Sequence, residues 1–308
     1  MAASPTGRGP LVVGVGHASV DHVFEVERLP AAAVKVPAQA YRMQVGGMTA
    51  NAVVAAARLS ARARLVSPLG DDGWTDMFRQ HFVNQGVDAH GLVVVPGAQS
   101  SVAAVLVDAA GQRLIVGHRG DATWRAPALA EAVLDGADVL LTDPRCPGWC
   151  RTALGWARAR GVTSVLDADT APAVDLRATV ALADWAVFSE PGLEAFAGPG
   201  VTPGEALAQA ITSGARHAVV TLGERGLWWQ PARGALQRLP AFEVPQVVDT
   251  TAAGDVFHAA LGCALGRGMP SEQALRFASA AAALKCTRAG GALAAPTLDE
   301  VERFLATR

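Results

Sequence analysis

The chain of 308 residues carries 26 Lys and Arg against 28 Asp and Glu, a formal net charge of -2, and it has no basic run. That balance gives no support for binding nucleic acid or a membrane surface through charge. Four cysteines in so long a chain do not make a disulfide scaffold, and Cys146 and Cys150 lack a second pair at zinc-site spacing, so buried thiols are expected. Residues 1–10 are small and polar with one Arg, without the apolar core of a signal peptide, and read as a flexible tail. No uninterrupted apolar run reaches the ~18 residues of a membrane span, so a cytoplasmic protein is expected.

Leu11-Val12-Val13-Gly14-Val15-Gly16 reads as a central strand ended by glycines. Asp21 follows, just past that strand, where open α/β sheets bind ligands. β-type fragments at 23–26 and 34–36 are irregular, and a hairpin is expected from 101–107 and 113–116, turned at Asp108-Ala109-Ala110-Gly111. Gly46-Gly47 stands before Asn51 and a helix over 52–59. Bare backbone there permits close approach of a ligand, and an Asn amide can both donate to and accept from hydroxyls. Gly70-Asp71-Asp72-Gly73 reads as a turn and cap before an amphipathic helix ending near Gln85.

From residue 138 the rhythm becomes regular: strand 138–141, helix 149–160, strand 162–166 and strand 185–188. A helix at 203–212 follows, with Pro203 at its start and Glu205 in its first turn, then a strand at 218–221. The length fits two domains or one, and this end-to-end alternation predicts a single domain over 1–308 built on a doubly wound, mostly parallel sheet. Thr221-Leu222-Gly223-Glu224-Arg225-Gly226 follows the last strand. Its hydroxyl and two glycines can line a nucleotide without obstruction, although glycine turns between strands are common.

Asp249-Thr250-Thr251-Ala252-Ala253-Gly254-Asp255 lies between Val247-Val248, which reads as a strand end, and an apolar helix opening at Val256. A strand, a small-residue turn and a helix form the context of phosphate loops. Ala252, Ala253 and Gly254 would admit a phosphate to the free N–H groups of the helix start, and Asp255 would take the proton of an attacking hydroxyl. Taken alone, the stretch equally reads as a capped helix start with an acid in its first turn.

Ala252-Ala253-Gly254-Asp255, together with Gly46-Gly47-Met48-Thr49-Ala50-Asn51, resembles the two signatures of the ribokinase-like (PfkB) carbohydrate kinases. The resemblance implies a ribokinase-like α/β fold with a small β-sheet lid over the sugar, here from segments about 22–45 and 98–118, and a homodimer formed through that lid. It implies a phosphotransferase with an alcohol acceptor, using ATP and Mg2+, in which Asp255 is the base and Ala252, Ala253 and Gly254 form the anion hole. Asp21, Gly46, Gly47 and Asn51 would bind the sugar, and Thr221, Gly223, Gly226, Ser189 and Ser279 would border ATP. A monovalent cation such as K+ near Asp249 and the 287–291 loop is a further family feature.

Two departures stand out. Where many members carry Asn-x-x-Glu, linked to magnesium and phosphate, this chain has Ser189 and Gly192. Glu190, Glu194, Asp167 and Asp169 remain as nearby carboxylates, and the choice among them stays open. The phrases around Phe188-Ser189-Glu190-Pro191-Gly192-Leu193, Arg276-Phe277-Ala278-Ser279 and Ala283-Leu284-Lys285-Cys286-Thr287-Arg288 resemble the bacterial 6-deoxy-6-sulfofructose kinases. In that branch a lid Lys and an inner Arg hold the sulfonate, and Lys35 and Arg145 match them. The branch's Asn is replaced by Gly117, with His118 and Arg119 beside it. The resemblance thus implies a ketose with an anionic group, and two cations would suit phosphate or carboxylate as well. The alternatives are a kinase for ribose, fructose or a nucleoside, or a sugar-binding regulator without catalysis, against which the retained Asp255 argues.

Overall fold

The computed structural model describes residues 9–308; residues 1–8, most of the expected tail, lie outside the described residues. Pro10 does not belong to a tail: it is buried, and its carbonyl accepts from the Arg62 N–H at 2.9 Å.

Among the described residues thirteen strands run in chain order as β1 (Leu11–Val15), β2 (Ser19–Glu25), β3 (Ala40–Gly46), β4 (Arg62–Gly70), β5 (Val87–Val95), β6 (Ser101–Val107) and β7 (Arg113–His118). They continue as β8 (Val139–Thr142), β9 (Thr163–Ala168), β10 (Trp185–Phe188), β11 (His217–Thr221), β12 (Leu227–Pro231) and β13 (Gln237–Leu239). The α-helices are α1 (Met48–Arg58), α2 (Thr75–Asn84), α3 (Ala122–Arg125), α4 (Pro147–Arg160), α5 (Ala173–Val180), α6 (Glu190–Ala197), α7 (Pro203–Ser213), α8 (Ala253–Gly266), α9 (Ser271–Cys286) and α10 (Leu298–Ala306). Among the described residues no helix is long and apolar enough to cross a membrane.

Nine strands form the main sheet in the order β13-β12-β11-β10-β9-β8-β1-β4-β5. Pairing is parallel from β11 through to β5, and the β11–β12 and β12–β13 pairs are antiparallel, so β12 runs against the other strands. All five residues of β1 are buried, because helices cover both faces: Val12 belongs to one apolar cluster, and Leu11, Val13 and Val15 to the other. That is why β1 reads as a continuous apolar run rather than an alternating one. Helix α8 is buried without interruption from Val256 to Ala264, as suits a helix packed inside a core.

The second sheet has the order β3-β2-β6-β7, with β2 and β6 parallel and the outer pairs antiparallel. It grows from the ends of β1 and β5, so its inner face stands over the C-terminal ends of the central strands, where open α/β sheets place their ligands. Asp21 therefore lies inside β2, paired with Gln44 and Ala103, and not in the loop after β1. Two expected strand fragments are absent. Residues 34–36 lie in a largely exposed loop between β2 and β3, and Val247-Val248 are exposed in a segment with no strand partner. Apolar β-branched residues there lack a neighbouring strand to complete a ladder.

Candidate active site

A cavity of about 940 Å³ lies between the strand ends and the inner face of the small sheet. Period-two alternation selects the residues facing it: Asp21, Val23 and Glu25 from β2, Arg42 and Gln44 from β3, Ala103 and Val105 from β6. From the other side come Asn51, Asp167, Asp169, Ser189, Thr221 and residues 248–255.

Asp255 occupies the first turn of α8, and its Oδ2 accepts from Asn51 Nδ2 at 2.8 Å, a contact spanning 204 residues. Ala252, just before the helix, adopts the left-handed conformation at φ 62° and ψ 14°, a rare state for a residue with a Cβ and one that bends the chain sharply into α8. The first N–H groups of a helix have no intrahelical acceptor. Here the Ala253 N–H is taken by the Thr250 carbonyl at 3.2 Å. The free donors at the turn are thus the Gly254 and Asp255 N–H groups, which have no protein partner among the described residues.

Burial, and the nearby Asp167 carboxylate, push the Asp255 carboxyl up to about 8, against the opposing hydrogen bond from Asn51 and the field of His258. Asp167 itself is raised far above the usual carboxylate range by burial and by Asp169 and Asp143. His258 donates from Nδ1 to the Gly254 carbonyl at 2.6 Å, and burial lowers its pKa. Its Nε2 lies 3.6 Å from Asp167 Oδ1. A cluster of acids held this way gains stability when a divalent cation neutralises it. Oxygen donors alone suit Mg2+, and among the described residues no cage of three or more ligating side chains is formed. A few carboxylates with water and phosphate oxygens are the fitting ligand set for that ion.

On the small-sheet side, Asp21 Oδ1 accepts from Ser19 Oγ at 2.8 Å, and burial raises the Asp21 carboxyl. Gly46 faces that carboxylate and does not line the cavity itself; a Cβ there would meet Asp21 Oδ2 at 2.0 Å. Gly47 precedes α1 with φ 103°, and a Cβ would stand 2.6 Å from the Ala18 Cα, so no other residue fits the turn. A glycine cannot cap a helix with a side chain, and the cap comes instead from Asp143, which accepts from the Thr49 N–H 94 residues before it. Asp143 is fully buried at the end of β8. Its carboxylate accepts from the His17 N–H at 2.8 Å, the Arg145 N–H at 2.8 Å, the Thr49 N–H at 3.3 Å and the Thr49 hydroxyl. The sequence reading passes over Asp143; the one available signal is an acid directly after an apolar strand.

Arg145 lines the cavity and donates to Asp169 Oδ2 at 3.3 Å. Lys35 does not: it is exposed on the 31–39 loop, outside the lining, and this removes it from the expected pair of cations. Gly117 lies on the inner face of β7 opposite Ala103, and the Arg119 beside it does line the cavity. Of the residues expected around ATP, Thr221 and Ser189 line the cavity, whereas Gly223, Gly226 and Ser279 do not. Gly223 and Gly226 form a tight turn after β11, and Ser279 sits inside α9.

Ser189 explains one departure from the family pattern. It caps α6, accepting from the Gly192 N–H at 3.0 Å, and donates to Asp169 Oδ1 at 2.6 Å. A Cβ at residue 192 would stand 2.1 Å from the Ala168 carbonyl oxygen, so this backbone leaves no room for an acid there. Glu190 and Glu194 line a separate pocket, and Glu190 pairs with Arg225.

Comparison with known proteins agrees with this geometry. Residues 10–298 match the pfkB family carbohydrate kinase sequence family. A ribokinase of Haemophilus influenzae is 29% identical over 94% of this chain and 97% of its own. Fructokinase-1 of Oryza sativa is 28% identical over 97% and 98%. The structure of Arabidopsis thaliana ribokinase complexed with ribose and ATP superposes with a TM-score of 0.83 at 26% identity, covering 97% of this chain and 99% of that one. With its acid, amide and small-residue turn set at one cavity in a chain matched almost end to end, the protein belongs to the pfkB family of carbohydrate kinases.

Proposed function

We propose that the protein transfers the γ-phosphoryl group of ATP to a primary hydroxyl of a sugar. The observation that carries this reading is the Asp255 carboxylate, half-buried and raised to about 8, next to the two free N–H groups of the α8 turn and facing the same cavity as Asp21 and Asn51. Asp21 and Asn51 orient the sugar hydroxyls, and Asp255 accepts the proton of the attacking one. A base with a pKa near the working pH combines the correct ionisation with a strong driving force. The Gly254 and Asp255 N–H groups and the positive end of α8 stabilise the charge that spreads over the moving phosphoryl oxygens. Asp167 and Asp169 would hold Mg2+, since they line the cavity and Glu190 and Glu194 do not. When bound, that ion neutralises phosphate charge.

For the sugar we favour a ketose with an anionic group, such as 6-deoxy-6-sulfofructose, because the guanidinium groups of Arg145 and Arg119 line the cavity. Ribose, fructose or a nucleoside is the alternative, and only the identity of the acceptor separates the two readings. The exposed outer face of the small sheet, with Tyr41, Met43, Leu114 and Val116 uncovered on its strands, supports a homodimer through the lid, which light scattering checks.

ATP turnover with a panel of sugars tests the reading. Wild type should phosphorylate at least one sugar, and Asp255→Asn should lose a factor of about 10² to 10⁴ in kcat. If wild type and variant are equally inactive on every sugar, the kinase reading fails.

A further inference from the structure

Lys285, in the last turn of α9, has a side chain with no solvent exposure, an unusual setting for an ammonium group. It comes up from the core side, and its Nζ donates to the Asp249 carbonyl at 2.7 Å and to Asp249 Oδ2 at 2.9 Å. The same carboxylate accepts from the Thr251 N–H at 2.8 Å and from the Gly290 and Gly291 N–H groups, each at 3.3 Å. The N–H groups of Val248 and Asp249 bond to the Cys286 carbonyl at 2.8 and 3.1 Å. Residues 248–251, which lead into the phosphate turn, are thereby fastened to the end of α9 and to the 290–291 turn.

A K+ ion between Asp249 and the 287–291 loop would need the Asp249 carbonyl and carboxylate oxygens as ligands. Both are already bonded to Nζ, and two backbone N–H groups, the wrong polarity for a cation, point at the same oxygen. The residues present do not fit the ion. Burial acts to raise the Asp249 carboxyl, yet the hydrogen bonds from Thr251 and Lys285 outweigh it and hold the acid far below its ordinary range. Burial lowers the Lys285 pKa, with Asp249 opposing it, and an ammonium buried this deeply is retained only because it is paired. A second cation reaches the loop from the lid, where Arg113 donates to the Thr250 hydroxyl at 3.1 Å.

We propose that Lys285 is a built-in replacement for a soluble monovalent cation: its ammonium neutralises Asp249 beneath the phosphate turn and keeps residues 249–255 in shape, so that phosphoryl transfer does not depend on K+. Lys285 is a positioning residue, acting through Asp249 and touching neither sugar nor ATP. The inference rests on the kinase reading above, and the test separates the two.

Initial rates of the full-length protein with Mg2+ and ATP are compared in KCl and in tetramethylammonium chloride at equal ionic strength. The wild-type rates should agree within about twofold, and Lys285→Ala should lose about 100-fold in kcat/KM for ATP without K+ and recover part of it when K+ or ammonium is added. The thermal midpoint of Lys285→Ala should rise with K+ while that of wild type does not move. Activation of wild type by K+ of about tenfold or more overturns the proposal, as does a Lys285→Ala enzyme at full rate without any small cation. Should Lys285→Ala not fold, Lys285→Gln replaces it, and the wild-type salt comparison decides by itself. A wild type inert on every sugar refutes the kinase reading, and a K+-dependent rise in its thermal midpoint then still overturns this one.

Discussion

Asp143 gives the most demanding test of how the start of α1, beside the cavity, is held. Its carboxylate receives the N–H groups of His17, Thr49 and Arg145 and the Thr49 hydroxyl. In Asp143→Ala these donors lose their acceptor. A buried donor left unpaired costs about 1–3 kcal/mol. Water can reach the half-buried His17 and Arg145, so the full cost falls on the N–H and hydroxyl of the buried Thr49. Loss of the negative charge at the start of α1 adds up to about 1 kcal/mol, and relief of the repulsion with Asp167 offsets part of that. The sum is a loss of about 3–5 kcal/mol. Asp143→Asn keeps one acceptor oxygen while aiming an NH2 at donors, and should fall between. Urea titrations followed by the fluorescence of the seven tryptophans measure the loss. The sugar KM should rise at the same time, because the same carboxylate fixes the 47–51 turn. A midpoint shift worth less than about 1 kcal/mol in Asp143→Ala, or Asp143→Asn as stable as wild type, refutes the reasoning.

The Asp255 carboxylate must be ionised to act as a base, so kcat/KM should fall as pH drops below about 8. Asn51→Ala removes a hydrogen bond to the charged form and should move that inflection up by about one pH unit. Because the folded state raises this acid, the fold holds a proton that the unfolded chain releases. Stability is therefore lost as pH rises through the shifted pKa, and Asp255→Asn should have the higher thermal midpoint in alkaline, Mg2+-free buffer; a lower one contradicts the burial argument. Gly192→Glu, which writes the family's acid back into the turn, should unfold earlier than wild type in thermal scans, because its Cβ would stand 2.1 Å from the Ala168 carbonyl oxygen. Isothermal titration with the preferred sugar should show Arg145→Ala binding at least about tenfold more weakly and Lys35→Ala binding as wild type, and the opposite pattern would return Lys35 to the site.

The regular half of the fold is legible because its strands are buried on both faces and bounded by turn residues, as in 185–188 and 218–221. Strands β4 and β5 are not, for physical reasons: β4 carries Arg62, Arg64 and Pro68, and β5 has Gly91 at a register shift against β4. The 34–36 fragment shows the converse, β-branched residues in an exposed loop. At the site, Asp21, Asn51 and the 252–255 turn stand out because their local pattern carries their chemistry. Asp143 and Lys285 do not. Each is defined by partners 36 to 126 residues away, so the first reads as a turn acid before Pro144 and the second as an ordinary helix cation. Lys35 misleads because a charge on a lid segment is easily credited to the cavity it does not reach.

The position of β1 in the sheet bears on how the chain reaches this state. Strand β1 lies inside the sheet between β4 and β8, and its Val12 pairs with Val139. During synthesis one edge of β1 stays open, with Val13 and Val15 uncovered, until more than a hundred further residues have left the ribosome. Such an edge invites pairing with other nascent chains, and contacts so distant in sequence form slowly. Yield on expression should therefore depend on how quickly the segment carrying β8 follows, making this stretch of translation, rather than the finished enzyme, the most aggregation-prone stage in the life of the protein.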